Sequence, residues 1–170
     1  MNSFQILECF NRIAVCRPYA QYTVVPSDKL LDIKIERYPF FVCINKDSHT
    51  KSGSHWIGMY IARSGGELEF FDSYGLSIDV YPKYLVDFAS KNNLSIVETR
   101  RTLQGPASAV CGHYVIMYMY FRLKGCSRKY FYAKFSNNRA RNDKIVLAFV
   151  NKLFIKNFSK CIQFQTCNKF

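Results

Sequence analysis

The chain has 170 residues, a length that suits one domain, residues 1–170, with a proper core. Apolar residues make up 49% and aromatic residues 16%, which excludes a disordered chain. The net charge of +12 is one-sided: residues 1–99 hold 10 Lys/Arg against 11 Asp/Glu, and residues 100–170 hold 14 Lys/Arg and one acid, Asp143, which points to nucleic acid as a partner.

In chain order, residues 3–14 read as a first helix. Phe40 to Ile44 is an apolar run of strand length. His55 to Ile61 and Glu67 to Gly75 flank Ser64-Gly65-Gly66, the pattern of a hairpin. Asp79 is placed to cap a helix that contains Pro82 in its first turn and runs to about Ser90. Ser95 to Thr99 reads as another strand, and residues 100–107 as a loop. A helix follows from Cys111, apolar nearly all round from Val115 to Leu123 and therefore buried, with Gly125 to end it. Residues 128–141 are basic and aromatic, a last helix is expected over 143–156, and the tail 157–170 has no assigned element.

Seven cysteines without a Cys-x-x-Cys pair argue against a disulfide framework and against a metal site. Reduced thiols fit an intracellular setting. The first ten residues lack the pattern of a signal peptide, and Val115 to Phe121 is too short to span a bilayer, so no membrane association is expected.

The segment Leu103 to Tyr114 carries the chemistry. It places Gln104 seven residues before Cys111, at the start of the buried helix. A thiol at a helix N-terminus has a lowered pKa because free N–H groups and the macrodipole favour thiolate. Gln104 can turn its amide toward the same point and, with a backbone N–H, form an oxyanion hole. Three histidines compete as the base: His113 is two residues past Cys111 and faces elsewhere on the helix, His49 lies in a polar loop, and His55 opens a strand. In a hairpin centred near Gly65, Asp72 returns close to His55, where an orienting carboxylate belongs. Each residue has a plainer reading beside this one. Cys111 alone is a small buried hydrophobe, His55 a strand-end histidine, Asp72 a turn cap, and Gln104 a loop residue bonded to local backbone. Trp56 is either a core aromatic or a ring that shields His55 or lines the substrate site.

His55-Trp56, an acid seventeen residues after His55, and Gln104-Gly105-Pro106 with Cys111-Gly112 seven residues after the glutamine resemble the adenovirus endopeptidase (adenain) family. That family also occurs in Maverick/Polinton-type viruses and mobile elements. The matching core runs from about Gly53 to Leu123, with a weaker echo at Cys16-Arg17-Pro18-Tyr19. The resemblance implies an α+β, papain-like cysteine protease of the adenain or ubiquitin-like-protease type, with a central mixed sheet packed on a buried helix that bears the nucleophile. It implies His55 as base, Asp72 as third member, Gln104 as oxyanion donor and Cys111 as nucleophile. It further implies viral precursor polypeptides as substrates, cut at Gly-containing sites during particle maturation in the virion and host nucleus. No cofactor is needed for the chemistry; DNA and a viral peptide are activators by resemblance.

Two departures stand out. The third member is Asp72, where the adenovirus enzyme commonly has Glu. Residues 92–102 contain no cysteine to take a disulfide-linked peptide, so a covalent activator would need another thiol such as Cys126 or Cys161. Largely sequence-independent DNA binding is assigned to Arg122, Lys124, Arg128, Lys129, Lys134, Arg139, Arg141 and Lys144, on a monomer. The alternatives are a protease that removes ubiquitin-like modifiers, an acyltransferase with the same triad, and a non-catalytic nucleic-acid-binding virion protein.

Overall fold

A computed structural model describes residues 1–15 and 17–155. Cys16, Cys161 and Cys167 and the tail from 157 lie outside the described residues. The elements are α1 (Ser3–Ala14), β1 (Gln21–Pro26), β2 (Phe40–Asn45), β3 (Trp56–Ile61), β4 (Glu67–Phe71), α2 (Tyr84–Lys91), β5 (Ser95–Glu98), α3 (Cys111–Leu123), α4 (Arg128–Tyr132) and α5 (Arg139–Ile155). Short 3-10 turns occupy Ser27–Asp32 and Ile78–Val80.

The five strands form one mixed sheet in the order β1-β2-β3-β4-β5. The two outer pairs, β1 with β2 and β4 with β5, are parallel, and the central pairs are antiparallel. Because strand side chains alternate, each strand feeds two cores. Phe40, Val42 and Ile44 of β2 join Ile57, Met59 and Ile61 of β3 under Leu85 and Phe88 of α2. Phe41, Cys43 and Tyr60 face the other way, into the larger core built with α1, α3, α4 and α5.

Helix α3 is the centre of that larger core, buried on nearly every face as its composition demands. It comes close to β3 because Gly58 has no side chain: a Cβ there would meet the Phe41 ring at 3.1 Å and Val115 Cγ1 at 3.4 Å. Glu69 of β4 pins the other end of α3. It accepts hydrogen bonds from the Tyr118 hydroxyl (2.7 Å) and from Arg122 Nε (2.8 Å) and Nη2 (2.7 Å). Gly125, with φ +78°, terminates the helix, and the Cys126 N–H turns back to the Phe121 carbonyl at 3.0 Å.

Several expectations change. Strand β1 pairs with β2 although its sequence carries no clear alternation, because its side chains are all half-buried at a sheet edge. Asp79 does not cap α2: Ser77 caps the 3-10 turn through Asp79 N–H, and α2 starts separately at Tyr84. Helix α5 begins four residues early, at Arg139, because Asn138 accepts from Arg141 N–H at 3.0 Å as an N-cap. The aromatics of 128–141 are mainly core: Phe131, Tyr132 and Phe135 are buried, and Tyr130 is exposed. Cys126 is disulfide-bonded, against the expectation of reduced thiols.

Gly75 sets the path of the chain between Asp72 and Gln104. Its φ is +71°, and an added Cβ would lie 2.6 Å from Arg101 C and 2.7 Å from Thr102 N. Gly75→Ala is expected to destabilise the protein by about 2–4 kcal/mol, from the left-handed backbone cost together with overpacking. Chemical denaturation midpoints at constant m-value measure it.

Candidate active site

The register of the central hairpin sets Gly58 opposite Phe71, which leaves His55 and Asp72 just beyond its paired end. There His55 Nε2 and Asp72 Oδ1 are 2.7 Å apart, with both side chains buried. Asp72 also accepts Tyr74 N–H (3.1 Å, Oδ1) and Leu76 N–H (2.9 Å, Oδ2). The same carboxylate therefore caps the turn and orients the imidazole, so its two sequence readings coexist. With Nε2 engaged by Asp72, Nδ1 is the ring nitrogen left for Cys111. The rings of Tyr74 (centroids 4.9 Å apart) and Tyr81 (6.4 Å, interplanar angle 17°) lie against the imidazole.

Cys111 is the first residue of α3, and the preceding Val110 supplies no side-chain cap. The first turn is therefore open to an anion. Burial opposes ionisation of this thiol, but a hydrogen bond from His55, the Trp56 N–H, the charge of His55 and the Gly112 N–H together hold its pKa below the ordinary value. The other free cysteines among the described residues behave oppositely. Burial pushes Cys9 up to about 12 and raises Cys43 strongly. On His55, burial disfavours the cation, yet the bond to Asp72 and the contact with Cys111 raise its pKa to about 9. Geometry and electrostatics thus favour a thiolate–imidazolium pair, which is the reactive form of a cysteine nucleophile.

Gln104 is 1% exposed. Its Oε1 accepts from Ser73 Oγ (2.7 Å), and its Nε2 donates to Ser108 O (2.6 Å) and to the Tyr74 hydroxyl (3.2 Å). Ser108, Ala109, Tyr74, Trp56 and Cys111 line one cleft of about 570 Å³, so the buried Gln104 amide is bonded to two residues of the wall that also holds Cys111. A second cleft of about 450 Å³ includes His55 and is walled by Leu76, Val80, Tyr81 and Pro82 together with Lys46, Asp47 and Ser54.

Trp56 lines the cleft that holds Cys111. Its indole Nε1 donates to Met1 O (3.1 Å), and its ring packs toward Gly112, while its backbone N–H serves Cys111. The rings packed against the imidazole are those of Tyr74 and Tyr81. No local sequence signal marks either tyrosine. His113 stays outside the site, with burial lowering its pKa to about 4. His49, read as having nothing to fix it, is in fact held by Asp28 through both its ring Nδ1 and its N–H, on the rim of the first cleft.

The basic set divides. Arg122 is engaged by Glu69 and lies over the Tyr60 ring at 4.8 Å, which removes it from the nucleic-acid set. Lys124 and Arg128 are half-buried, and Lys129, Lys134, Arg139, Arg141 and Lys144 are exposed. Among the described residues no group of three or more His, Cys, Asp or Glu side chains is arranged to hold a metal ion, and no helix is long and apolar enough to cross a membrane.

No protein-family model matches the sequence, and no curated protein matches it. Solved structures do resemble the fold. The ASFV pS273R protease is 16% identical with a TM-score of 0.57 over 86% of this chain and 66% of its own. The Chlamydia trachomatis effector protein Cdu1, solved bound to ubiquitin, is 12% identical with a TM-score of 0.63 over 91% and 92% of the two chains. The SUMO protease Ulp1, solved with its catalytic cysteine oxidised to a sulfenic acid, is 18% identical with a TM-score of 0.51 over 92% and 79%. The chain has the fold of these proteins. It spans just under two thirds of the ASFV protein.

Cys111 should react with limiting iodoacetamide before Cys9 and Cys43, and already at pH values below the ~8.5 of a free thiol. The sign follows from its lowered pKa: thiolate is present to lower pH than in the other cysteines. His55→Ala should shift the alkylation profile of Cys111 to higher pH. Peptide mapping of the alkylated protein checks both.

Proposed function

We propose that the protein is a cysteine endopeptidase that cuts viral precursor polypeptides at Gly-containing sites during particle maturation, in the virion and host nucleus. The observation that carries the reading is the buried Asp72–His55 hydrogen bond aligned on Cys111 at the uncapped start of α3. The Cys111 thiolate attacks the scissile carbonyl carbon, and the oxyanion is held by the Gln104 amide and the N–H of Cys111. Collapse of the tetrahedral adduct breaks the C–N bond as His55 gives its proton to the leaving amine. Water, deprotonated by His55, then releases the acyl group. Asp72 holds the imidazole in one orientation throughout. The leaving amine departs on the His55 side of the scissile bond, because His55 delivers its proton, and the acyl part stays on Cys111.

Digestion of a peptide library by wild type and Cys111→Ala tests the reading and yields the cleavage motif. Cleavage should vanish in Cys111→Ala, and Gln104→Ala should lower kcat by roughly 10²–10³. Retained cleavage in Cys111→Ala would sink it.

A second reading, removal of ubiquitin-like modifiers, is favoured by the likeness over almost all of both chains to a protein solved with ubiquitin. A ubiquitin-like probe with a reactive C-terminal Gly-Gly separates the two: rapid capture on Cys111 supports the second, and indifference to it supports the first.

We also propose that Lys129, Lys134, Arg139, Arg141 and Lys144, with Lys124 and Arg128 at their edge, bind DNA through phosphates with little sequence preference. If about four or five engage, log K against log salt should have a slope of roughly −4. Charge reversal at Arg139 and Arg141 should weaken DNA binding in a filter or anisotropy titration and leave cleavage of a short peptide unchanged.

A further inference from the structure

Asp143 is the single acidic residue after position 99, in a segment with 14 Lys/Arg, yet it does not sit among those cations as a surface counter-charge. It lies in the second turn of α5 and turns inward. Its carboxylate accepts the Gly105 N–H (3.2 Å to Oδ2, 3.4 Å to Oδ1) and the Tyr114 hydroxyl (2.9 Å to Oδ1). Tyr114 is fully buried on α3, and its hydroxyl also reaches the Leu103 carbonyl at 3.1 Å. The neighbouring Asn142, also fully buried, donates to the same Leu103 carbonyl (3.2 Å) and to Ser136 O (2.9 Å). From the opposite side, the Ser73 carbonyl takes the N–H groups of Leu103 (2.9 Å) and Gln104 (3.1 Å). The backbone on both sides of Gln104 is thus tied down, and its amide is held on Ser108 and Tyr74, which line the cleft that contains Cys111.

The fit is tight enough to explain the glycine. A Cβ on Gly105 would come within 2.9 Å of Asp143 Oδ2. Gly105 is needed so that the carboxylate can reach the backbone, and the Gln104-Gly105 pair of the sequence is one half of a contact whose other half lies 38 residues on.

We propose that Asp143 is a positioning residue for the oxyanion hole, fixing the Leu103–Gly105 backbone so that the Gln104 amide stays at the wall of the cleft that contains Cys111. This rests on the proteolytic reading above. Asp143 touches neither thiol nor imidazole, so it acts on the stage at which negative charge appears on the substrate oxygen and not on the formation of thiolate. A backbone shift of about 1 Å at such a donor can cost about 10²-fold in rate.

The experiment compares peptide cleavage and iodoacetamide alkylation of Cys111 in wild type, Asp143→Asn, Asp143→Ala, Gly105→Ala and Gln104→Ala, with thermal melts to identify folded variants. Asp143→Asn, which retains one oxygen acceptor, should lower kcat about 10-fold, and Asp143→Ala about 10- to 100-fold, with KM within about twofold. Gly105→Ala, which approaches the same contact from the loop, should fall in that range. Alkylation of Cys111 needs no oxyanion hole and should stay within about twofold of wild type in all of them. In the Gln104→Ala background Asp143→Asn should cost almost nothing more, because it acts through a side chain already removed. An unchanged kcat in folded Asp143→Asn, a full multiplication of the two losses in the double variant, or a parallel fall in alkylation would each overturn the positioning role. Cleavage that persists in Cys111→Ala would instead remove the proteolytic reading, and the inference with it.

Discussion

The close packing of α3 on β3 is the constraint on which the site depends. Gly58 has no side chain to hold the two apart, and Phe41 and Val115 fill the seam on either side of it. That contact fixes the start of α3 opposite the open end of the hairpin. Cys111 then meets the Trp56 N–H and His55, the residue immediately before β3. On the proposed mechanism the nucleophile lies on a helix end and the base beside a strand end, and packed elements hold catalytic geometry more closely than loops do. The bidentate contact of Glu69 with Arg122 serves the same seam from the far end of the helix and keeps α3 in register along its length.

Much of this site was legible because its parts follow local rules. A Gly-rich turn at Ser64-Gly65-Gly66 forces the two strands to return, so His55 and Asp72 had to end near each other. The apolar run after Cys111 could only be a buried helix, which put the thiol at an N-terminus. The expected α+β fold, with a mixed sheet against that helix, is the one observed. What the sequence hid depends on contacts between distant segments. Tyr81 reaches His55 from a 3-10 turn that no periodicity announces. The edge strand β1 has no alternation to read, since it is stabilised by its pairing with β2 and by partial cover from α1. Asp28 holds His49 across 21 residues, and a polar loop gives no sign of such a partner.

Charge shows the same division. The excess of cations after residue 99 is visible in composition, but composition cannot separate a cation that faces water from one that closes an internal network. Arg122 closes a network, and Arg101 donates to the carbonyls of Tyr132 (2.9 Å) and Phe135 (2.8 Å), joining α4 and the chain after it to the segment that leads to Gln104. Half-buried arginines of this kind stiffen the fold and leave the surface field to the lysines and to Arg139 and Arg141.

The Gln104 amide has a consequence for how binding energy is used. At rest both of its N–H groups are occupied, one by the Ser108 carbonyl at 2.6 Å and the other by the Tyr74 hydroxyl. On the proposed mechanism, a substrate carbonyl entering the site offers that amide a neutral acceptor in place of another neutral acceptor, so the exchange gains little and the Michaelis complex is not tightened by it. Once the oxygen becomes anionic the exchange turns favourable, since a charged acceptor makes a shorter and stronger bond. The internal carbonyl then acts as a placeholder that only the transition state displaces. Such a placeholder withholds stabilisation from bound substrate and releases it at the barrier, which raises turnover without deepening the ground state.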